Sequence, residues 1–275
     1  MYACLNRMTA GAGLSQEEFV KLSADAGFAG ADVDINYGAQ HGTSALRDLY
    51  AQHNQRPGGW GAPDWRTDPV KAKDGIAQLK TLAPIAAELK IDSCATWLLP
   101  SSDLPLMENW KFHVERLRPV AQVLADSGLR FGLEFVAPYH ARRGKKHEFI
   151  FTAGQMLELA NDIGPNVGLL VDSFHLYSSG DAMDSIRQIP KERIVLVHLN
   201  DAPNIPLPQL QDGARLLPGD GVIDLKKFLA TLRAIGYDGP ASVEVFSDAL
   251  KKMPPAESAR KAGIATNNVF KSAGF

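Results

Sequence analysis

Short apolar runs alternate with longer amphipathic stretches along the whole chain. The apolar runs predict eight strands, at Tyr2–Leu5, Ala31–Ile35, Gly58–Gly61, Ser93–Leu98, Phe131–Val136, Val167–Val171, Ile194–Leu199 and Ala241–Phe246. The stretches between them predict helices that begin at Ser15 and Thr152 and others at Ala45–His53, Asp68–Leu89, Glu108–Ser127, Ala182–Ile189, Asp224–Gly236 and Pro255–Phe270. Ser15 and Glu18 have the spacing of a capping box, which supports the first of these helices.

Strict alternation of strand and helix is typical of a parallel sheet. Eight units in 275 residues, about 34 residues each, fit a closed (β/α)8 TIM barrel of the α/β class, with residues 1–275 as one domain. An open doubly wound sheet is the alternative. It favours a glycine-rich phosphate turn after the first strand, which Gly11-Ala12-Gly13 matches poorly.

The composition is that of an ordinary globular protein. A net charge of −2 and a pI near 6.4 give no electrostatic reason to bind nucleic acid or a membrane surface. No apolar run approaches the roughly 18 residues that span a bilayer, and Met1–Ala12 lacks the pattern of a signal peptide. We expect a cytoplasmic protein in which the two cysteines, Cys4 and Cys94, are buried and reduced.

Four ionisable residues interrupt the apolar runs at the ends of the last four strands. They are Glu134, Asp172, His198 and Glu244. Side chains alternate between the two faces of a strand, so if the neighbouring Val197 points outward, His198 points into the barrel. The same parity places the three carboxylates inside, where catalytic groups of barrel enzymes lie.

Three converging carboxylates repel one another and lose solvation on burial. Each could be paired with a basic residue, but none of the four strand cores contains a lysine or an arginine. A divalent cation is the simpler neutraliser, because carboxylate oxygens and an imidazole nitrogen form a mixed ligand set. This set suits Mn²⁺, with Mg²⁺, Co²⁺ or Zn²⁺ as alternatives.

Other polar residues are placed to support this cluster or to contact a substrate. His175 follows Asp172 by three residues, and Asp201 follows His198 by three. Asp201 either orients the imidazole or caps a turn. Arg215 either binds a substrate oxygen or is a solvated loop charge. Trp60 and Trp97, near the ends of strands three and four, either pack in the core or form an apolar wall for a sugar ring.

The segments around these residues resemble the xylose isomerase-like TIM-barrel superfamily, and within it the sugar phosphate isomerase/epimerase group that includes inosose isomerase and ketose 3-epimerases. The resemblance rests on the segments Gly132-Leu133-Glu134-Phe135, Val171-Asp172-Ser173-Phe174-His175, Val197-His198-Leu199-Asn200-Asp201, Arg215-Leu216-Leu217-Pro218-Gly219-Asp220-Gly221 and Val243-Glu244-Val245. It implies that Glu134, Asp172, His198 and Glu244 bind the metal. It further implies that Glu134 and Glu244 form the acid/base pair and that His175 and Arg215 hold substrate oxygens.

At two places the sequence differs from particular members of this superfamily, and these differences limit the functions that the resemblance implies. A further glutamate that the epimerases carry six residues after the first ligand is His140 here, which argues against a strict ketose 3-epimerase. The apurinic endonucleases of the same superfamily carry extra histidines on strands three and four, and this chain has none there. A phosphodiester-cleaving site with three zinc ions is therefore not expected.

The expected reaction is proton transfer next to the carbonyl of a keto-sugar or keto-polyol, with an enediolate stabilised by the dication. Return of the proton gives an epimer or an isomer. A lyase that expels a β-hydroxyl, as in dehydration of an inosose or a dehydroshikimate-like substrate, shares the first step. A non-catalytic carbohydrate-binding barrel is a third alternative. The resembling families also suggest a homodimer or homotetramer.

Overall fold

The structure is a computed structural model that describes residues 1–11, 13–66 and 68–275. Ala12, within the Gly11-Ala12-Gly13 segment, lies outside the described residues. The strands are β1 (Tyr2–Leu5), β2 (Gly30–Ala31), β3 (Arg56–Pro57), β4 (Trp60–Gly61), β5 (Ser93–Leu98), β6 (Ser101–Ser102), β7 (Arg130–Phe135), β8 (His147–Glu148), β9 (Val167–Asp172), β10 (Ile194–Leu199) and β11 (Pro240–Val243).

The helices fill the spaces between the strands. They are α1 (Arg7–Ala10), α2 (Gln16–Asp25), α3 (Ile35–His41), α4 (Thr43–Gln52), α5 (Pro69–Glu88), α6 (Leu106–Asp126), α7 (Tyr139–Arg142), α8 (Ala153–Ile163), α9 (Ser173–Ser178), α10 (Leu225–Ile235), α11 (Asp248–Lys251) and α12 (Pro255–Ser272), with 3₁₀ turns at Ser185–Gln188, Lys191–Arg193 and Leu207–Gln209. Within the described ranges, none of these helices is long and apolar enough to cross a bilayer.

The main sheet closes on itself. Its parallel strands follow the order β3-β2-β1-β11-β10-β9-β7-β5-β4, so its two ends, β3 and β4, belong to one segment, residues 56–61. Inside that segment the Gly59 carbonyl accepts from the Val33 amide at 2.9 Å, and just beyond it the Ala62 amide donates to the Ala95 carbonyl at 2.9 Å. The segment therefore bonds to both neighbouring strands, and the predicted (β/α)8 TIM barrel is confirmed. The short β6 and β8 form a separate antiparallel pair.

Strand parity divides the core into two parts. Outward-facing side chains such as Leu133, Val171 and Val197 belong to the large apolar core between barrel and helices. Inside the barrel, a separate cluster of Ala95, Leu170 and Leu196 fills the interior. Leu170 and Leu196 precede Asp172 and His198 by two residues, so this apolar plug forms the layer beneath the predicted ligands.

Several helix starts follow the predicted capping residues. The Glu18 amide donates to Ser15 Oγ and the Ser15 amide donates back to Glu18 Oε2, which completes the predicted capping box of α2. Thr152 and Asp224 cap α8 and α10 through backbone amides three residues on. These caps satisfy amides that have no partner within the helix.

Some predicted bounds were wrong. Strand two ends at Ala31 rather than Ile35, because the Asp34 side chain accepts from the Asn36 amide and begins α3 at Ile35. Strand eight ends at Val243 rather than Phe246, and strand three, predicted at Gly58–Gly61, is the short β4 preceded by β3 at Arg56–Pro57. The helix predicted at Ala182–Ile189 is only the 3₁₀ turn Ser185–Gln188, followed closely by Pro190, which has no amide hydrogen to extend a helix.

His113 makes the stability of the fold depend on pH. Its ring, buried on α6, stacks on Phe149 with centroids 5.0 Å apart, and its Nδ1 lies 2.7 Å from the Asn109 carbonyl oxygen. Burial lowers the pKa of His113 to about 4. Between this value and the unfolded-state value near 6.5, the unfolded chain binds a proton that the folded chain does not, so acidification destabilises the fold.

We therefore expect the free energy of unfolding to fall by about 2–3 kcal/mol between pH 7.5 and pH 4.5 from this residue alone. Urea unfolding of the wild type and of His113→Phe, which keeps a ring but cannot be protonated, isolates the effect. The variant is expected to lose that much less stability over the same interval. Parallel pH profiles for the two proteins would refute the assignment.

Candidate metal and substrate site

Four strands bring the predicted ligands to one end of the barrel. Glu134 lies on β7, Asp172 ends β9, His198 lies on β10 and Glu244 directly follows β11. Asp172 and His198 are register partners across β9 and β10, which places their side chains next to each other. All four side chains point into the barrel, as strand parity predicts.

The four side chains converge on a common point. One ligand atom from each lies within 4.8 Å of all the others. His198 Nδ1 is 3.5 Å from Glu134 Oε1, 3.9 Å from Asp172 Oδ2 and 3.2 Å from Glu244 Oε2. Glu134, Asp172 and His198 are buried and Glu244 is partly exposed.

The bonding of these atoms fits a divalent cation. Glu134 Oε1 and His198 Nδ1 are buried without a hydrogen-bond partner, which is rare for buried polar atoms. Asp172 uses its other oxygen, Oδ1, to accept from the Phe174 and His175 amides at 2.7 and 3.1 Å. This cap of α9 fixes the carboxylate with Oδ2 towards the cluster. Three carboxylates and one imidazole form the mixed oxygen and nitrogen set that such ions accept.

Arg215 is the counter-charge that the strand sequences do not contain. From the loop after β10 it is buried beside the cluster, with Nη1 2.9 Å from Asp172 Oδ2 and 3.0 Å from Glu244 Oε2, and Nη2 2.8 Å from Asp212 Oδ1. Burial opposes its charge, but Asp172, Asp212 and Glu244 raise the pKa of Arg215. The alternative in which a basic residue pairs with the carboxylates therefore holds for Asp172 and Glu244.

The alternative that Arg215 is a solvated loop charge was wrong, because its side chain is buried. His175 lies behind the same guanidinium, with its Nε2 3.0 Å from Arg215 Nη2 and 4.0 Å from Glu134 Oε1. A guanidinium only donates hydrogen bonds, so this imidazole nitrogen accepts. Both side chains contact the cluster rather than the wall of the cavity described below, and their contact with a substrate stays a prediction.

The two glutamates differ in environment. Burial raises the pKa of Glu134, which Arg215 does not contact. Burial also works against the charge of Glu244, but His198 and Arg215 together lower the pKa of Glu244 to about 2. Glu134 is therefore the carboxylate that takes up a proton more readily, and Glu244 is the one held as an anion.

A cavity of about 380 Å³ opens above the cluster and is reached from the barrel mouth. Glu134, His198 and Glu244 contribute to its lining, together with Trp60 and Trp97. Trp60 is buried and donates from its indole N–H to the Ile91 carbonyl at 3.3 Å, whereas Trp97 is 44% exposed. Both tryptophans are thus placed at the cavity, and their contact with a sugar ring stays a prediction.

Asp32, which also lines this cavity, was missed in the sequence. It directly follows β2, the same position relative to a strand as Glu244, but the predicted strand Ala31–Ile35 placed it in mid-strand. Burial raises the pKa of Asp32 to about 6. Asp212 was missed as a cluster residue because it lies in a loop with no periodic pattern. Had strand two been predicted to end at Ala31, Asp32 would have been recognised as a polar residue at a strand end.

Asp201 caps a turn, the second of the two roles predicted for it. Its Oδ1 accepts from the Ala202 and Ile223 amides at 2.8 and 2.9 Å, and its Oδ2 accepts from the Gly219 and Gly221 amides at 3.0 and 3.1 Å. One buried carboxylate therefore fixes both ends of the loop that carries Asp212 and Arg215.

We expect Asp201→Asn to destabilise the fold by about 2–4 kcal/mol, because an amide NH₂ would face two backbone amides and leave them unpaired. The check is urea unfolding, with Asp220→Asn as the control because Asp220 is exposed on the same loop. Equal unfolding midpoints for the two variants would show that the four bonds contribute little.

Comparisons with known proteins agree with this architecture. A family model described as xylose isomerase-like TIM barrel matches residues 20–266. Inosose isomerase from Bacillus subtilis is 31% identical over 160 residues, which cover 58% of this chain and 55% of that protein. The match thus spans little more than half of this relative. A 3-dehydroshikimate dehydratase from Pseudomonas aeruginosa is 35% identical over 145 residues, 52% of this chain and 22% of the relative.

Two solved structures extend the similarity to the full chain. A xylose isomerase domain protein from Alicyclobacillus acidocaldarius superposes with a TM-score of 0.89 at 29% identity, covering 100% of both chains. The IOLI protein with a bound zinc atom superposes with a TM-score of 0.80 at 24% identity over 99% of each chain, a similarity that establishes the fold alone.

Proposed function

Because the chain belongs to the xylose isomerase-like TIM barrel family, we propose that it is a metal-dependent isomerase or epimerase of a keto-sugar or a keto-polyol such as an inosose. The observation that carries this proposal is the convergence of Glu134, Asp172, His198 and Glu244 beneath a cavity of about 380 Å³. Inosose isomerase is among the relatives of the chain, which supports a ring ketone with hydroxyl groups as the substrate.

These four residues are the proposed ligands of one divalent cation. When bound, such an ion polarises a carbonyl and lowers the cost of removing a proton from the adjacent carbon. We favour Mn²⁺ because three of the four ligands are carboxylates. The zinc atom in the IOLI structure keeps Zn²⁺ as an alternative.

Glu134 and Glu244 are the proposed acid/base pair. They belong to β7 and to the end of β11, which are separated by β9 and β10 in the sheet, so they approach the cavity from different sides. The Glu134 side chain lines the cavity, so its carboxylate lies within reach of a bound substrate. Glu244 Oε2 accepts from Arg215 Nη1, which orients this carboxylate. A proton removed by one and returned by the other inverts a centre, and return to the adjacent carbon isomerises the ketone.

The tryptophans and the apolar plug supply the rest of the proposed site. Leu170 and Leu196 close the floor of the cavity, and Trp60 and Trp97 line its side. An apolar lining keeps water away from the reacting carbons and fits the C–H face of a ring.

A lyase is the second candidate, and a specific observation favours it. The chain is 35% identical to a 3-dehydroshikimate dehydratase over 145 residues. Removal of the same proton next to a carbonyl would then be followed by loss of a β-hydroxyl as water. Glu134 and Glu244 would serve as base and as acid to the leaving group.

Hydrogen exchange in D₂O distinguishes these candidates. The protein, loaded with Mn²⁺, is incubated with 2-keto-myo-inositol, other ketoses and 3-dehydroshikimate, and products are followed by NMR. We expect deuterium at carbon next to the carbonyl without loss of water. Formation of an unsaturated ketone would establish the lyase instead. If no compound exchanges a C–H and elemental analysis finds no bound metal, the proposed function is wrong.

The proposed function also has consequences for the ligands, the location and the oligomeric state of the protein. The chain is expected to act on small molecules rather than nucleic acid or membranes, to reside in the cytoplasm, and to form a homodimer or homotetramer. Sedimentation analysis of the purified protein tests the last point.

A further inference from the structure

The cavity has a second polar wall, at the ends of strands that carry none of the proposed metal ligands. It is formed by Asn6, Arg7 and Asp32, which follow β1 and β2. In the closed ring of strands, β2 lies four strands from β9 in either direction, counting β3 and β4 as one. Asp32 follows a strand opposite β9 in this ring, and its side chain reaches inward to Ser242 on β11.

Asp32 is held by three hydrogen bonds. Its Oδ1 accepts from Ser242 Oγ at 2.5 Å and from the Gly59 amide at 3.1 Å, and its Oδ2 accepts from Asn6 Nδ2 at 2.8 Å. A carboxylate has about four acceptor positions, so one position on Oδ2 remains for a further donor. In residues 1–11, 13–66 and 68–275, Asp32 has no lysine, arginine or histidine at ion-pair distance.

The backbone leaves room for this carboxylate. A Cβ on Gly58 would lie 2.4 Å from Asp32 Oδ1, so only glycine permits this carboxylate position. Asp32 is only partly exposed, so its charge carries a desolvation cost that a neutral side chain bonding Ser242 and Asn6 would not have. The retained charge thus points to a ligand that donates to it.

We propose that Asp32 accepts a hydrogen bond from a substrate hydroxyl remote from the reacting carbons, and that the site thereby selects neutral polyhydroxy ketones over carboxylated or phosphorylated ones. The proposal rests on the proposed function above and names its substrate class. A second anionic group at this wall would face the Asp32 carboxylate and be repelled, because the Arg7 guanidinium on the same wall is bonded to Leu14 and Gln16.

The dimensions suit a small ring. Ser242, which bonds Asp32, and Glu244 both lie on the interior side of the same strand end, two residues apart. This spacing corresponds to about 7 Å along a strand. A six-membered ring bound by its ketone side at the cluster would present an opposite hydroxyl to Asp32.

Arg7 is the group that could reverse this preference. Its Nη1 donates to the Leu14 carbonyl at 3.1 Å, its Nη2 donates to Gln16 Oε1, and its guanidinium stacks 4.4 Å from the Phe19 ring centroid. These contacts hold the cation against the loop before α2 and against α2 itself. Arg7 is therefore the residue to test if an anionic substrate is preferred.

The test compares the wild type with Asp32→Asn, using Asp34→Asn as the matched control. Asp34 is exposed two residues further on, and its substitution makes the same change in charge. With 2-keto-myo-inositol, we expect Asp32→Asn to raise KM about 10- to 100-fold, the loss for a bond to a charged acceptor. We expect kcat and the Mn²⁺ dissociation constant to stay close to the wild-type values. The control should match the wild type in all three.

Mono-deoxy analogues of 2-keto-myo-inositol provide a readout that a structural role would not change. For one analogue, KM in the wild type should be higher by a similar factor. The Asp32→Asn substitution should raise KM for that analogue no further. An unchanged KM in Asp32→Asn, or an unchanged preference among the analogues, would overturn the proposal. So would a wild-type preference for 3-dehydroshikimate that Arg7→Gln abolishes.

Binding measured by calorimetry distinguishes an error in the proposed reaction from an error in the role assigned to Asp32. If the wild type exchanges no C–H but binds 2-keto-myo-inositol with an affinity that Asp32→Asn reduces, the assignment of Asp32 stands while the proposed reaction falls. Absence of both binding and exchange with 2-keto-myo-inositol overturns both.

Discussion

Replacing Glu134 by glutamine is expected to slow carbon–hydrogen exchange about a thousandfold, the usual contribution of a positioned acid or base. Glu134 Oε1 lies 3.5 Å from His198 Nδ1 in the cluster, and the Glu134 side chain also lines the cavity, so this carboxylate is within reach of both the proposed metal and a bound substrate. Glutamine keeps the shape and an oxygen ligand but cannot accept that proton. Exchange rates are measured by NMR in D₂O at saturating Mn²⁺ and substrate.

Two further variants make this measurement decisive. Glu244→Gln is expected to retain metal and lose most turnover in epimerisation, because the second carboxylate returns the proton on the other side of the substrate. Glu148→Gln, at an exposed position on β8, is the control and is expected to match the wild type. Near-normal exchange in Glu134→Gln with metal bound would remove Glu134 from the acid/base pair, and the same result for Glu244→Gln would remove Glu244.

Replacing Arg215 by methionine is expected to lower the free energy of unfolding of the metal-free protein by about 3–5 kcal/mol, the cost of leaving buried charges without their partner. Arg215 Nη1 contacts both Asp172 and Glu244, and Nη2 contacts Asp212. Methionine fills similar space without charge. Urea unfolding in the presence of a chelator measures the effect.

Addition of Mn²⁺ is expected to restore part of the stability that Arg215→Met loses. An ion at the cluster replaces part of the missing positive charge, so the variant should gain more stability from Mn²⁺ than the wild type does. Arg47→Met is the matched control because its ion pair with Glu88 is exposed and worth under about 1 kcal/mol. If Arg215→Met is no less stable than Arg47→Met without metal, the carboxylates do not depend on Arg215.

The sequence was informative wherever the evidence was local and periodic. Glu134, Asp172, His198 and Glu244 each interrupt an apolar strand, and the two-residue period of a strand decides which face each takes. Hydrophobic patterning also predicted the number of barrel units. These features depend on neighbours within a few residues, so they can be predicted from the sequence alone.

What the sequence did not reveal depends on contacts between distant segments. Arg215 lies 43 residues from Asp172, and nothing in its own loop indicates that the chain folds back onto that carboxylate. Asp32 was missed because a cap at Asp34 ends strand two early, and its bond to Ser242 spans 210 residues. The charge balance of the site is therefore a product of the fold.

Crystals of the protein grown with Mn²⁺ and measured near the manganese absorption edge test the central claim most directly. We predict one anomalous peak per chain at the cluster, with oxygen or nitrogen atoms of Glu134, Asp172, His198 and Glu244 at about 2.0–2.3 Å. Crystals with saturating Mn²⁺ that show no peak there, or a peak bound by other residues, would contradict the account.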